Sequence, residues 1–373
     1  MSTIHWTTGT NTPCSARWHS ESATPPPRRV VGADDRMRAD AAYRLACEGT
    51  ALLWRGDFPQ ARQLLQAMGR RIDRKPSRPG GSLAESFHLH RRARGHRARV
   101  LGRLLVLLDG DYGLDLRRAP DVRRACVEAY GPPSGPMAVS LTELLGVIGA
   151  HQWRTKGVEV PALDARIHPH YGVFSPVRGE YVDLVARAPL PEPARRSAFD
   201  LGTGTGVLAA VLARRGVGRV VATDISPRAL ACARENIRRL RFAGCVDVVG
   251  PGLFPDGCAG LVVCNPPWIP ARPTSVLEQG VYDPGGTVLR AFLNGLAAHL
   301  EPGGEGWLVL SDLAERLGLR TRGELLADIE AAGLYVVDRT DTRPRHPRAR
   351  DAADPLHAAR AAEVTSLWRL AGG

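Results

Sequence analysis

The chain has 373 residues, of which 44% are hydrophobic, and a formal net charge of +12. This length allows two domains with buried cores, and no apolar run is long enough to span a membrane, which argues against a membrane-spanning protein. The seven cysteines are scattered and lack C-x-x-C pairing, so we predict neither a disulfide framework nor a metal site, and a cytoplasmic, reducing location.

Residues 1–33 stand apart from the rest of the sequence. They contain Thr24-Pro25-Pro26-Pro27-Arg28-Arg29, a single acidic residue at Glu21 and no sustained hydrophobic periodicity. Such a composition cannot bury enough apolar surface to fold, so we predict a disordered tail.

Residues 34–150 place apolar side chains at helical spacing, with breaks near Gly56-Asp57-Phe58-Pro59 and at Gly131-Pro132-Pro133. We therefore predict a helical N-terminal domain. Its helices are expected as a pair within Asp34–Ala67 and then at Ser86–Leu108, Asp121–Tyr130 and Leu141–Ile148.

The predicted helix Ser86–Leu108 carries a basic strip suited to phosphate contacts. The strip consists of Arg91, Arg92, Arg94, Arg97, Arg99 and Arg103, with His88, His90 and His96 among them. Only two of the 50 basic residues are lysine, a skew that is more typical of a GC-rich genome than of a selected surface. The net charge of +12 still favours polyanionic partners, so nucleic acid, RNA foremost, is the predicted partner and protein the alternative.

From Ser197 onward, apolar segments of strand length alternate with segments of helical periodicity. This alternation predicts an α/β domain over 160–373 with a mostly parallel sheet, whose ligands bind at the carboxyl ends of the strands. After a first strand ending at the glycine-rich turn, strands are expected at Arg219–Asp224, Val246–Val249, Gly260–Cys264, Gly306–Leu310, Tyr335–Thr340 and Glu363–Leu370. Helices are expected at Val207–Arg215, Pro227–Arg239, Val288–Leu300 and Arg320–Ala332.

The glycine-rich turn is Asp200-Leu201-Gly202-Thr203-Gly204-Thr205-Gly206, and the next strand ends at Asp224. A strand, glycine turn, helix and second strand ending in an acid are typical of a site for a nucleoside-containing cofactor, with the acid on the ribose hydroxyls. The spacing G-x-G-x-G differs from the dinucleotide spacing G-x-G-x-x-G. Because Asp200 would repel a pyrophosphate, it suits a cationic amino-acid portion instead.

A second motif, Asn265-Pro266-Pro267-Trp268, ends the strand Gly260–Cys264. Asn265 offers a side-chain amide oxygen, Pro266 a backbone carbonyl and Trp268 a flat aromatic face. Together they predict a pocket for a planar amine, whose delocalised lone pair two acceptors would make more available. The structural alternative is a strand that ends in a proline turn beside a partly buried tryptophan.

With these motifs in this order, the chain resembles a class I S-adenosylmethionine-dependent methyltransferase over roughly residues 165–373. The glycine turn matches the first motif of that family, Asp224 its ribose-binding acid, and Asn265-Pro266-Pro267-Trp268 its amine-recognition motif. The last motif is similar to that of enzymes that methylate adenine in DNA or RNA, guanine in ribosomal RNA, or the glutamine of peptide release factors. His170–Tyr181 lies where these enzymes carry a loop and helix that close over the cofactor.

The resemblance implies a Rossmann-like core with a seven-stranded sheet, S-adenosyl-L-methionine as cofactor, and an N-terminal domain that helps choose the substrate. It assigns the cofactor to Phe174, Asp200, Gly202, Thr203, Gly204, Thr205, Gly206, Asp224, Ile225 and Asn265. It assigns catalysis to Asn265, Pro266, Pro267 and Trp268, with Trp268 stacked on the substrate. The predicted reaction is methyl transfer to a base in RNA or DNA; a protein glutamine and a small-molecule amine are the alternatives.

The sequence departs from the family pattern after the third strand. Many relatives have an acid there for the adenine amino group, whereas this chain has Val249-Gly250-Pro251-Gly252-Leu253-Phe254. Adenine contacts are therefore expected from backbone groups or from Leu253 and Phe254. Two other classes fit less well: a nicotinamide oxidoreductase, which has different glycine spacing, and a non-catalytic RNA-binding scaffold, which needs no amine pocket.

Overall fold

A computed structural model describes residues 2–7, 11–74, 80–273, 277–344, 351 and 354–373. The chain divides into two compact units. The first comprises Met1–Pro79 and His88–Gln152, and the second comprises Gly80–Phe87 and Trp153–Gly373. Among the described residues, every helix is too short or too polar to cross a membrane.

Six strands of the first unit form one mixed sheet. They are β1 (Thr3–Thr7), β2 (Pro13–Trp18), β3 (Arg29–Ala33), β4 (Thr50–Trp54), β5 (Leu104–Leu108) and β6 (Met137–Ser140). Their order across the sheet is β1-β2-β6-β5-β4-β3, and β3, β4 and β5 run parallel to one another. One face of the sheet buries an apolar cluster that includes Ile4, Trp6, Val30 and Leu53.

Strands β1, β2 and β3 lie within residues 1–33, so the prediction of a disordered tail there is wrong. The prediction of a helical domain over 34–150 is wrong in part, because strands β4, β5 and β6 lie among its helices. Strand β1 buries Ile4 and Trp6 in alternation, a pattern too short to stand out beside the proline-rich segment. Strands β4 and β5 fall within segments where apolar side chains at helical spacing predict helices. All five side chains of β4 are buried, and a strand buried on both faces has no alternation to distinguish it from a buried helix.

The helices before residue 157 are α1 (Ala39–Cys47), α2 (Phe58–Asp73), α3 (Leu83–Leu101), α4 (Arg123–Tyr130) and α5 (Leu141–Lys156). The predicted break near Gly56-Asp57-Phe58-Pro59 is the start of α2, with proline in its first turn. The predicted helix Ser86–Leu108 is α3 followed by β5, so Arg103 lies outside the helix. Within α3, Arg92, Arg94 and Arg99 are exposed, whereas Arg97 pairs with Asp73 at 3.3 Å.

The second unit contains the hairpin β7 (Val158–Val160) and β8 (Ala165–Ile167) and a seven-stranded sheet. The sheet consists of β9 (Ser197–Leu201), β10 (Arg219–Thr223), β11 (Val246–Val249), β12 (Ala259–Cys264), β13 (Leu300–Ser311), β14 (Leu334–Thr342) and β15 (Thr365–Gly372). Their order is β11-β10-β9-β12-β13-β15-β14, and β15 runs in the opposite direction to the other six strands. This confirms the predicted Rossmann-like α/β fold.

The helices of this unit are α6 (Glu180–Arg187), α7 (Val207–Arg214), α8 (Pro227–Arg239), α9 (Thr287–Leu296), α10 (Leu313–Arg316), α11 (Arg322–Ala331) and α12 (His357–Ala361). Local signals fix several ends. The Ser226 hydroxyl caps α8, and Thr321 with Glu324 forms a capping box on α11. Alternate residues of the central strands enter two different core clusters, one containing Ala198 and Val263 and the other Phe199 and Cys264, because strand side chains alternate between faces.

The strand order reverses between β9 and β12. The chain passes from β9 through β10 to β11 on one side of the sheet, and then returns to β12 and continues on the other side. At such a reversal the loops leave in opposite directions and open a crevice at the carboxyl ends of the strands, which is where open α/β sheets bind ligands.

Candidate active site

A cavity of about 760 Å³ lies at this reversal of strand order, within the size range of small-molecule sites. The carboxyl ends of β9, β10 and β12 contribute Leu201, Asp224 and Cys264 with the residues that follow them. Eleven predicted site residues line it: Phe174, Asp200, Gly202, Thr203, Gly204, Thr205, Asp224, Ile225, Asn265, Pro266 and Pro267. The sheet thus brings together motifs that the sequence separates.

The glycine turn requires glycine for two physical reasons. Gly202, Gly204 and Gly206 have φ angles of 68°, 55° and 81°, which side chains with a Cβ rarely adopt. At Gly206 a Cβ would also lie 3.2 Å from Ala233 Cα in α8, so this glycine allows the turn to pack against the helix. Gly206 does not line the cavity, so its contribution is close helix packing.

Asp200 is buried at the end of β9 and is 1% exposed. Its Oδ2 accepts hydrogen bonds from the Thr203 hydroxyl at 2.6 Å and from the Ala209 backbone N–H at 2.9 Å. Burial raises the pKa of Asp200 from 3.8 to about 6, against the lowering effect of these two hydrogen bonds and with a further rise from the Asp224 charge. A nearby cation in the cavity would favour the carboxylate.

Asp224 connects the glycine turn to the start of α8. Its Oδ2 accepts the Gly204 backbone N–H at 3.0 Å and its Oδ1 accepts the Ser226 backbone N–H at 2.8 Å. Burial raises the pKa of this carboxyl as well. Each carboxylate oxygen can accept more than one hydrogen bond, so Asp224 is able to bind hydroxyl groups in the cavity while it holds the turn.

The amine motif follows β12. Asn265 lines the cavity, and its Oδ1 accepts a hydrogen bond from the Trp268 indole N–H at 2.8 Å. The described residues that line the cavity do not include Trp268, which packs against the two core clusters of the sheet. The structure thus does not support the predicted stacking of Trp268 on a substrate. A largely buried indole needs an acceptor for its N–H, and Asn265 provides it.

Comparisons with known proteins agree with this geometry. The model of the methyltransferase small domain family matches residues 164–319. A release factor glutamine methyltransferase of Moorella thermoacetica is 32% identical, over 48% of this chain and 70% of the relative. The chain belongs to the S-adenosylmethionine-dependent methyltransferases of this family.

Two other relatives match shorter segments. A ribosomal protein L11 methyltransferase of Pelotomaculum thermopropionicum is 37% identical over 38% of this chain and 39% of the relative. A release factor glutamine methyltransferase of Cereibacter sphaeroides is 36% identical over 39% of this chain and 55% of the relative. The chain therefore spans about half the length of these two relatives or less.

Sequence reasoning missed a residue that supports the methyltransferase site from behind the cavity-lining residues. Asn236 in α8 is fully buried, and its Nδ2 donates to the Thr205 carbonyl at 3.0 Å and to the His168 carbonyl at 3.3 Å. Its Oδ1 accepts the His168 backbone N–H at 2.8 Å. Asn236 thereby joins the glycine turn to the segment that leads into Gly172–Phe174 on the cavity wall. The only sequence signal was an amide on the apolar face of a helix.

The loops of the methyltransferase cavity refine two further predictions. Leu253 lines the cavity, whereas Phe254 stacks on His299 with ring centroids 4.3 Å apart, so of these two side chains only Leu253 forms part of the cavity wall. Phe174 lines the cavity beneath Gly280, where an added Cβ would lie 2.8 Å from Phe174 Cβ. The described part of the chain contains no group of three or more His, Cys, Asp or Glu residues placed to hold a metal ion.

Proposed function

We propose that this methyltransferase transfers a methyl group to the side-chain amide of a protein, with glutamine as the acceptor. The observation that carries the proposal is that Asn265 and Pro266 line the same cavity as the glycine turn and Asp224. Among the described lining residues the only basic side chain is Arg228, beside Ser226 and Pro227 at the start of α8. A nucleotide substrate would bring phosphates that need cations, whereas an amide brings no charge.

The cavity residues fit S-adenosyl-L-methionine. We assign the amino-acid portion to Asp200 and to Gly202–Thr205 of the glycine turn, and the ribose to Asp224. Ile225 is 70% exposed on the cavity wall although it is apolar, which suits a side chain that a planar ring would cover. Phe174, on the loop before α6, lines the same cavity. When bound, this cofactor supplies a methyl group on a positively charged sulfur.

The amide is held by the amine motif. The Asn265 side-chain oxygen retains one lone pair beyond the Trp268 hydrogen bond, and the Pro266 carbonyl is the second acceptor. Two acceptors on the N–H groups of an amide would increase the electron density on its nitrogen and orient it, and the surrounding walls would exclude water. Asn265 carries no ionisable group, so its hydrogen bond to the substrate amide does not depend on pH.

The names of the relatives support a protein substrate. Those compared above are methyltransferases of release factor glutamine and of ribosomal protein L11. The first unit lies outside the family match, which begins at residue 164, and we propose that it selects the substrate. Nucleic acid is the second candidate, favoured by the net charge of +12 and by the exposed arginines of α3.

The test is to incubate the protein and its Asn265→Ala variant with methyl-labelled S-adenosylmethionine and a total cell extract. We expect label that protease removes and nuclease does not, absent with the variant, and located on glutamine by peptide mass spectrometry. The variant should bind the cofactor as the wild type does, measured by calorimetry. Label removed by nuclease would overturn the protein substrate in favour of nucleic acid.

A further inference from the structure

A buried ion pair lies behind the amine motif, outside the set of cavity-lining residues. Arg178, between β8 and α6, donates from Nη1 to Glu363 Oε1 at 2.9 Å and from Nη2 to Glu363 Oε2 at 3.3 Å. The Glu363 side chain has no exposed surface, and Oε1 also accepts the Ser311 hydroxyl at 2.6 Å. Because the guanidinium is held at two points, its plane has a fixed orientation.

The same guanidinium lies against Trp268, with Arg178 Cζ 5.8 Å from the centre of the indole ring. An arginine over an indole face is attracted by the π-electrons, and more strongly where water is excluded. The Arg178 side chain is 18% exposed. Arg178 therefore contacts the ring whose N–H donates to Asn265, and Glu363, 185 residues away in sequence, fixes Arg178.

The indole also decides how Asn265 is turned. An indole N–H only donates, so Asn265 must direct its oxygen, and not its NH2 group, toward Trp268. A flipped Asn265 would present donors where the substrate amide also presents donors. The position of Trp268 thus determines whether Asn265 can act as an acceptor.

We propose that Arg178 is a positioning residue, fixed by Glu363, that holds Trp268 and through it the acceptor orientation of Asn265. The inference rests on the proposed function, which requires the Asn265 side-chain oxygen to accept a hydrogen bond from the substrate amide. Arg178 lines no part of the cavity, so its effect must pass through Trp268. Lysine can replace it only in part, since an ammonium keeps the charge beside Glu363 but has neither the planar face nor the fixed fork of a guanidinium.

The experiment compares Arg178→Met and Arg178→Lys with Arg369→Met as the matched control. Arg369 donates to Glu305 at 2.8 and 2.6 Å, a two-point ion pair of similar burial elsewhere in the same unit, away from the amine motif. The first measurement is hydrogen exchange of the Trp268 indole N–H by NMR, with that signal among the seven tryptophans assigned from Trp268→Phe.

We expect exchange of the Trp268 indole hydrogen to be at least about tenfold faster in Arg178→Met, because its hydrogen bond opens, and unchanged in Arg369→Met. On the protein substrate, Arg178→Met should lower kcat by about 100-fold, Arg178→Lys by less, and leave the Kd for S-adenosylmethionine within about twofold. In a double-mutant cycle, Arg178→Met should add little to Trp268→Phe, because both act through one hydrogen bond.

Unchanged indole exchange in Arg178→Met, or fully additive effects in the cycle, would overturn the positioning role. Faster exchange of the Trp268 indole hydrogen in Arg369→Met would also overturn the positioning role, because a general loss of stability would then explain the result. If the wild type methylates no protein but the exchange pattern holds, the proposed function fails while the arrangement of Arg178 and Trp268 stands.

Discussion

Replacing Asp200 with asparagine should stabilise the protein at neutral pH while weakening its hold on the cofactor. Both hydrogen bonds to Asp200, from Thr203 and Ala209, reach the same oxygen, Oδ2. An asparagine oxygen can accept both, so Asp200→Asn keeps these contacts and removes only the buried charge. The amide nitrogen then occupies the place of Oδ1.

The magnitude follows from the pKa of Asp200, which burial raises from 3.8 to about 6. That rise corresponds to about 3 kcal/mol by which the folded protein disfavours the carboxylate. Because the pKa of Asp200 is higher in the folded state, the free energy of unfolding is largest below pH 3.8, where Asp200 is protonated in both states. It falls as the pH rises to about 6, where the folded protein must hold a buried carboxylate. Asp200→Asn avoids this loss.

The assay is urea unfolding of both proteins without cofactor, at intervals from about pH 4 to pH 8. We expect equal stability near pH 4 and a difference that grows to at most about 3 kcal/mol in favour of Asp200→Asn above pH 6. Asp247→Asn, at a half-exposed carboxyl on β11 that pairs with Arg219, is the control for removal of a surface charge. A variant less stable than the wild type at pH 8, or a constant difference, would refute the reasoning.

Calorimetry completes this prediction. Asp200→Asn should bind S-adenosylmethionine at least about tenfold more weakly, because it lacks the charge that faces a cationic amino-acid portion. The affinity of the wild type should fall as the pH drops below about 6, where Asp200 takes up a proton. An affinity that is the same in both proteins would remove Asp200 from the cofactor site.

Three further substitutions test the site. Asp224→Ala should raise the Kd for S-adenosylmethionine at least about tenfold, because it removes the ribose acceptor and leaves two backbone N–H groups of the site unpaired. An unchanged Kd in calorimetry would contradict the assignment. Asn236→Leu should lower the free energy of unfolding by about 2–5 kcal/mol in urea titrations, because three buried hydrogen bonds lose their partner; a loss under about 1 kcal/mol would show that they contribute little. Gly206→Ala should destabilise the protein more than Gly216→Ala. Both glycines have φ above 80°, but only at Gly206 would the added Cβ contact Ala233. Equal losses in thermal unfolding would show that this contact does not matter.

Much of the second unit could be predicted from sequence because its signals are local. Helix α8 begins at Pro227 after the cap Ser226 and ends at Arg239, as predicted. A capping side chain and the first helical turn are a few residues apart, so short segments of sequence specify them whatever surrounds them. The same holds for the glycine turn, whose positive φ angles exclude other residues.

The first unit shows where such local reasoning fails. Strand β5 is apolar throughout, β4 is apolar after Thr50, and both have a helix on either side in the sequence, so nothing local distinguishes them from helical segments. They are strands because they pair with each other and with β3 and β6. Strand pairing joins residues far apart in sequence, and tertiary packing overrides the weak local preference.

The sequence by itself therefore determined the order of the seven sheet strands and of helices α7, α8, α9 and α11, the glycine turn, and the site residues that follow β10 and β12. Only the tertiary structure decided that Trp268 faces Asn265 and not the cavity, that Asn236 ties the glycine turn to His168, and that Glu363 holds Arg178. The physical reason is distance along the chain. A turn or cap is specified by its immediate neighbours, whereas a buried polar side chain finds its partner only after folding has brought distant segments together.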